Sequence, residues 1–267
     1  MKICKSLLLV VVGLFVLVPQ YSGRPAVEKG TFKDLTLTLA TPKKSYLELQ
    51  PIPLVITLKN ETNEPLEGHG VLGFGTGYLH LYVDRGNGPE EISQLTLLKR
   101  GVYADPREFK PGEEISVTER LNLKLNEVFP RPGTYRLQAR LVAIGGKETV
   151  SSKPIKVEIV APDGLDAHAL QYIREHDDPA YFFTGLKAVK DPEKLEVLEN
   201  FNAIYSQSGY ADDATFLMGQ VQFARRDYQK ARVLFEKLSR KSDFGFVGEV
   251  TKFLKMIERE EKKKDRL

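Results

Sequence analysis

The sequence predicts a multidomain chain, an all-β unit followed by an all-α unit. From Thr31 to Val160 apolar residues recur with a period of two, as in half-buried strands. After Ala161-Pro162-Asp163-Gly164 they recur at helical spacing. Between the strands lie turn-forming stretches, and between the helices only short connections.

The chain opens on Lys2 and Lys5, then an apolar run from Leu7 to Val18 broken only by Gly13, then the polar Pro19–Pro25. A basic start, a core of about 7–15 apolar residues and a polar exit describe a secretory signal. The run is short for a membrane span, which needs about 18 or more apolar residues. The leader is placed at residues 1–23, with Gly23 or Ala26 as the last residue removed and an uncleaved anchor as the alternative. Cys4 precedes the apolar core, so it is not a lipoprotein cysteine. It is the single cysteine of the chain, so a cleaved protein would have none, which leaves no intrachain disulfide, thiolate zinc site or cysteine nucleophile.

The β unit is placed at residues 31–160. Leu35, Leu37 and Leu39 mark the first strand, Leu54, Ile56 and Leu58 the second, and Leu79, Leu81 and Val83 the third. A less clean run covers Ile92 to Leu98. Leu121, Leu123 and Leu125 continue the alternation, then Tyr135, Leu137, Ala139 and Leu141, then Ile155, Val157 and Ile159. About seven short strands in roughly 130 residues fit a β-sandwich. Pro51 and Pro53 stand at a strand entrance, where a missing N–H is tolerated. In Pro132-Gly133-Thr134-Tyr135 a turn leads into a strand that opens on tyrosine. This resembles the penultimate strand of immunoglobulin-like and fibronectin-like domains. The resemblance implies that the tyrosine hydroxyl bonds back to the preceding chain. Paired cysteines and tryptophan are absent, which speaks against an antibody-type domain.

The α unit is placed at residues 164–260, with Asp163 or Asp166 as the capping residue. Leu195, Leu198, Phe201 and Tyr205 share a helix face. So do Ala214, Leu217, Met218 and Val221, then Ala231, Leu234, Phe235 and Leu238, then Val247, Val250, Leu254 and Ile257. The segment from Tyr210 to Leu238 resembles a tetratricopeptide repeat. Met218-Gly219 matches its Leu-Gly pair, Tyr228 its late aromatic, Ala231 its small residue and Phe235 its second-helix aromatic. The chain departs at Thr215, where the repeat has a tryptophan-type residue, and at Gln222, where it has tyrosine. The resemblance implies two or three stacked helical hairpins. It also implies a groove lined by Asp213, Phe216, Gln220 and Phe223, the last three spaced on one helical face.

Chemistry is harder to find. Gly73, Gly75 and Gly77 suggest a phosphate loop, but Leu79-His80-Leu81-Tyr82 alternates like a strand and no helix N-terminus follows to hold an anion. Tyr78, His80 and Tyr82 form a second face on that strand, able in principle to stack on a sugar. The four histidines, at 69, 80, 168 and 176, show no metal-ligand spacing. His176-Asp177-Asp178 reads as a helix end. The pairs Glu90-Glu91, Glu113-Glu114 and Asp212-Asp213 fall in turns or at a helix start, where acids suit solvent or the helix dipole.

The net charge of +3 divides into +2 for residues 24–160 and −1 for residues 161–267, with Lys2 and Lys5 in the leader. Neither part has the positive field of a nucleic-acid binder. The expectation is a non-enzymatic exported protein, periplasmic or extracellular. It would use no cofactor or metal and would work as a scaffold or assembly factor through protein–protein contacts. The alternative is a β-sandwich module that binds carbohydrate or inhibits a protease.

Overall fold

In the computed structural model, residues 31–92 and 103–264 are described. The leader expected at residues 1–23 and the run from Ser93 to Leu98 lie outside these residues. Four of the expected strands form where the alternation places them: β1 (Leu35–Ala40), β3 (Ile52–Asn60), β5 (Leu79–Asp84) and β9 (Gly133–Val142). So does the last, β11 (Ile155–Val160). In β3 the alternation is nearly unbroken, with Leu54, Ile56 and Leu58 fully buried. Short strands β2 (Ser45–Leu47), β4 (Leu66–Gly68), β6 (Pro89–Glu91), β7 (Arg107–Phe109) and β10 (Thr149–Ser151) add to these, and the sequence does not announce them, because three residues are too few to show a period.

The strand expected through Leu121, Leu123 and Leu125 is shorter and earlier. It is β8 (Glu114–Leu121), and it stops before Lys124, which takes a left-handed conformation and starts a four-residue helix, α1 (Leu125–Val128). Leu123 and Leu125 are buried, yet they belong to a turn and a helix. Burial of alternate residues does not require a strand.

Strands β1, β3 and β8 form an antiparallel sheet in that order. The larger sheet runs β2-β11-β9-β5-β6, with β10 also on β9. Its β2–β11 pair is parallel and its other pairs antiparallel. A two-stranded piece, β4–β7, completes the strands. At the start of β9 the Tyr135 hydroxyl donates to the Arg131 carbonyl at 2.6 Å, the local back-bond anticipated for that tyrosine. The glycine run closes as a turn, with Thr76 Oγ1 donating to the Gly73 carbonyl at 2.7 Å, and feeds directly into β5.

Helices α2 (Gly164–His176), α3 (Leu186–Lys190), α4 (Pro192–Ile204), α5 (Ala211–Ala224), α6 (Tyr228–Ser239) and α7 (Val247–Lys264) follow. Asp163 sits at the α2 N-cap position without a capping side-chain bond. Asp166 instead accepts from the Gly209 N–H at 2.6 Å, tying α2 to the turn before α5. True caps occur at α4, where Asp191 accepts from the Glu193 and Lys194 amides and Pro192 starts the helix, and at α6, where Asp227 accepts from Lys230 N–H. Helices α5 and α6 make a close hairpin. A Cβ on Gly219 would stand 2.6 Å from Phe235 Cε1. Gly219→Ala is therefore expected to cost about 1–3 kcal/mol from overpacking, outweighing the helix propensity gain of about 1 kcal/mol. Urea denaturation would reveal it, and an unchanged or raised midpoint would show that Phe235 yields freely.

The expected architecture, an all-β immunoglobulin-like sandwich joined to a tetratricopeptide-like array, is overturned. The chain is a mixed α/β protein, with eleven strands in three sheets, one of them mixed, and seven helices, mostly C-terminal, among the described residues. One hydrophobic core includes Leu54, Leu137 and Val157 from the strands together with Ile173, Phe201 and Leu217 from the helices. A smaller cluster of Phe216, Phe235, Phe246 and Ile257 lies under α7. The α5–α6 hairpin is not repeated: α2 and α4 are separated by a 3-10 turn and the five-residue α3. Periodicity reports which element a residue belongs to. It carries no information about which core the element joins.

Candidate functional site

The helices and the β1-β3-β8 sheet meet around one buried arginine. Arg120 is the penultimate residue of β8, directly opposite Pro53 of β3. Opposed residues share a sheet face, and here that face meets the helices. Gly245, between α6 and α7, lies against Pro53: a Cβ there would stand 2.3 Å from Pro53 Cγ. The Arg120 guanidinium lies 5.0 Å from the ring centroids of both Phe216 and Phe246. Its Nη1 donates to Gln220 Oε1 at 3.3 Å. Its Nη2 lies 4.0 Å from Asp213 Oδ1, close enough for attraction and too far for a hydrogen bond. Buried Nε and Nη2 thus have no hydrogen-bond partner among the described residues.

Asp213 receives a bond from Gln50 Nε2 at 3.1 Å, and the same nitrogen donates to the Gly209 carbonyl. Burial pushes the Asp213 carboxyl up to about 6, with Arg120 and Gln50 opposing the rise. Burial also raises Glu249 of α7, against the pull of Arg120. The Arg120 pKa is lowered by its own burial and raised partly back by Asp213 and Glu249. A carboxyl near neutrality beside an arginine resembles catalytic equipment. However, the cavity next to Asp213, walled by Pro42, Tyr46, Gln50 and Phe244, measures about 40 Å³. That admits water and little else. The cluster's geometry is that of a joint between sheet and helices. Further ties cross the same junction: Tyr210 hydroxyl donates to the Glu48 carbonyl at 2.7 Å, Arg174 pairs with Glu48 at 2.5 Å, and Asn122 donates to the Phe183 carbonyl at 3.0 Å.

Of the four residues assigned to a partner groove, Asp213, Phe216 and Gln220 come together, around Arg120. Asp213 and Phe216 are buried there, so strand β8 and helix α7 occupy the face that the repeat resemblance turned outward. Phe223 lies apart, half-buried against Tyr228 and Phe253. Arg120, Gln50 and Glu249 escaped sequence reasoning. Nothing in Thr118-Glu119-Arg120 distinguishes an arginine that will be enclosed.

A second feature is open. A hollow of about 500 Å³ lies between α4 and α6, floored by α5 and lined by Glu199, Asn202, Met218, Gln222, Gln229, Lys230, Val233 and Leu234. Val233 is 63% exposed. Sequence reasoning missed it; the signal that could have found it is its place off the apolar face of α6 formed by Ala231, Phe235 and Leu238. Gln222 is only 5% exposed, and its side chain's one hydrogen bond among the described residues is to Met218 Sδ at 3.6 Å. Thioether sulfur is a weak acceptor.

The Tyr78-His80-Tyr82 face is differently engaged. Arg140 covers the Tyr82 ring at 4.6 Å, His80 pairs with Glu91 at 2.7 Å, and the Tyr78 hydroxyl accepts from Ala104 N–H. His69 is buried between Phe32 and Tyr78 and bonds the Val142 carbonyl at 2.8 Å. Burial lowers its pKa. Asp177 pairs with Lys187 and Lys194, and His176 bonds the Tyr172 carbonyl, as befits a helix end. Among the described residues no group of three or more histidine, cysteine or carboxylate residues is placed to hold a metal ion.

No family model matches the chain, and no curated protein matches it. Solved structures with partial likeness include a β-glucosidase from Listeria innocua, 13% identical over 49% of this chain and 16% of that one, at a TM-score of 0.28. Spo0M, a sporulation control protein from Bacillus subtilis, is 11% identical over 53% of this chain and 55% of that one, at 0.32. The CARDB domain of the PF1109 protein from Pyrococcus furiosus is 14% identical over 50% of this chain and all of that domain, at 0.27. The chain spans about one-sixth of the glucosidase's length. Likenesses this slight carry no argument about fold or activity, and the functional reading rests on the chain's own surfaces.

Proposed function

We propose that this is a non-enzymatic exported protein that acts by binding other polypeptides. The observation that supports it is the α4–α5–α6 hollow: an apolar floor of Met218 and Leu234, a protruding Val233, and an amide, Gln222, lacking a strong partner. An exposed apolar residue beside a polar rim is what an interaction surface offers. The joint around Arg120 suits this role, because it holds the helices against the sheets and so keeps the hollow's walls in place.

The test is photo-crosslinking in the native host, with the reactive residue at position 233 or, as control, at the exposed position 156 on β11. Adducts are expected from 233 and not from 156. Equal labelling at both, or none at either, would overturn the reading. Export has its own check. Intact mass of the same purified protein should show loss of roughly 20–26 residues from the N-terminus, and a full-length cytoplasmic species would end that part of the proposal.

A further inference from the structure

We infer that the hollow between α4 and α6 binds a second copy of this chain, seated through the ridge of its own α6, an inference that rests on the interaction reading above. Helix α6 presents Lys230, Val233 and Lys237 outward, at spacings i, i+3 and i+7 that place them along one side. It is a ridge with an apolar centre between two lysines, of which Lys230 also pairs with Asp227 of its own chain at 3.3 Å. Across the hollow, α4 presents the exposed Glu199. The ridge and Glu199 belong to the same chain and flank the same hollow. A two-fold axis parallel to the helices would lay each α6 between α4 and α6 of the other copy. Such an axis sets Lys230 of one copy against Glu199 of the other twice over and buries both Val233 side chains on the Met218–Leu234 floor. The contact is isologous, so it closes at two copies.

Other occupants fit less well. An arbitrary apolar segment would fill the floor, but nothing about it would answer walls of opposite sign. Gln222 adds a second, independent sign of an occupant. Its amide is nearly enclosed, lines the hollow and, among the described residues, bonds only a thioether sulfur. The ridge brings Gln229 to the same hollow, and its amide carries both a donor and an acceptor.

The experiment is analytical ultracentrifugation of the full chain without its leader, at low and at physiological salt. A dimer is expected, weakened by salt because its charge pairs lie at the rim. Val233→Glu, Glu199→Lys and Lys230→Glu should each raise the dissociation constant at least about tenfold, with circular dichroism unchanged. The double variant Glu199→Lys with Lys230→Glu should restore association to near the parental value. Rescue by the double swap separates charge complementarity from damage to the helices. A monomer at high micromolar concentration, or single variants that leave the dimer intact, would overturn the inference. A monomer that still yields heterologous adducts from position 233 would keep the interaction reading and overturn only the second copy as its partner.

Discussion

Arg120→Met is expected to destabilise the protein by about 3–5 kcal/mol at pH 8, the cost of leaving a buried charge without its partner. For a chain of this size that corresponds to a fall in melting temperature of roughly 6–20 °C. The loss should be clearly smaller at pH 5. Without the guanidinium, the Asp213 carboxyl loses the main influence opposing its upward shift. At pH 5 it is protonated and needs no counter-charge, whereas at pH 8 it must ionise inside the protein or stop the helices from docking. Wild-type behaviour has the same sign. The folded pKa of Asp213, about 6, lies above its ordinary 3.8. The stability it contributes is full below the ordinary value and is lost as pH rises through about 6. Glu249, also raised, works in the same direction. His69, lowered by burial, works in the other, losing stability as pH falls below its ordinary 6.5. Subtracting the pH profile of Asp213→Asn from that of wild type isolates the aspartate, because asparagine still accepts from Gln50. Thermal melts from pH 4.5 to 8 measure this. Equal losses at both ends for Arg120→Met would show that the side chain matters only as packing between Phe216 and Phe246. In that case Arg120→Met with Asp213→Asn would recover nothing.

Phe216→Ala should cost a comparable amount, about 3–5 kcal/mol. The ring is fully buried and meets Phe235, Phe244, Phe246 and Phe253 with centroids 5.6–6.2 Å apart. It also supports Arg120. Removing it opens a void where α5, α7 and β8 converge, and neighbouring rings on three separate elements cannot collapse together to fill it. Phe223→Ala, at a half-buried ring packed on Tyr228 and Phe253, should cost distinctly less. Chemical denaturation of the two variants checks the order. Similar small losses for both would mean that Phe216 is not part of a packed core, and would reopen the outward-facing groove that the repeat resemblance implied for it.

Much of the local structure was legible. Strands with five or more residues and one buried face declare themselves, as β1, β3, β5, β9 and β11 do, because alternation accumulates over their length. Helices α4 to α7 are equally plain, since an apolar stripe sustained over three or more turns fits helical spacing and no strand period. Gly219 and Ala231 marked the tight α5–α6 crossing, because only small residues permit it. The Tyr135 back-bond followed from the turn before it. Short strands were hidden by their length, and the Leu121–Leu125 alternation misled because a turn and a helix can also bury every second residue.

The candidate sites divide along the same line. Val233 was not singled out in the sequence, although an apolar residue off the apolar face of α6 is a signal that could have found it. Arg120 carries no such signal. Its sequence neighbours, Glu119 and Leu121, suggest an ordinary strand end, and its enclosure comes from Phe216, Gln220, Phe246 and Asp213, between 93 and 126 residues away. By itself the sequence determined the longer strands and the helices α4 to α7, because backbone geometry sets their periods and those periods are local. Only the tertiary structure decided that strands and helices share one core and that the face of α5 carrying Asp213 and Phe216 is covered. Both depend on which apolar faces find each other, and burial is non-directional: an apolar face is satisfied by any apolar surface, so its partner is set by the packing of the whole chain.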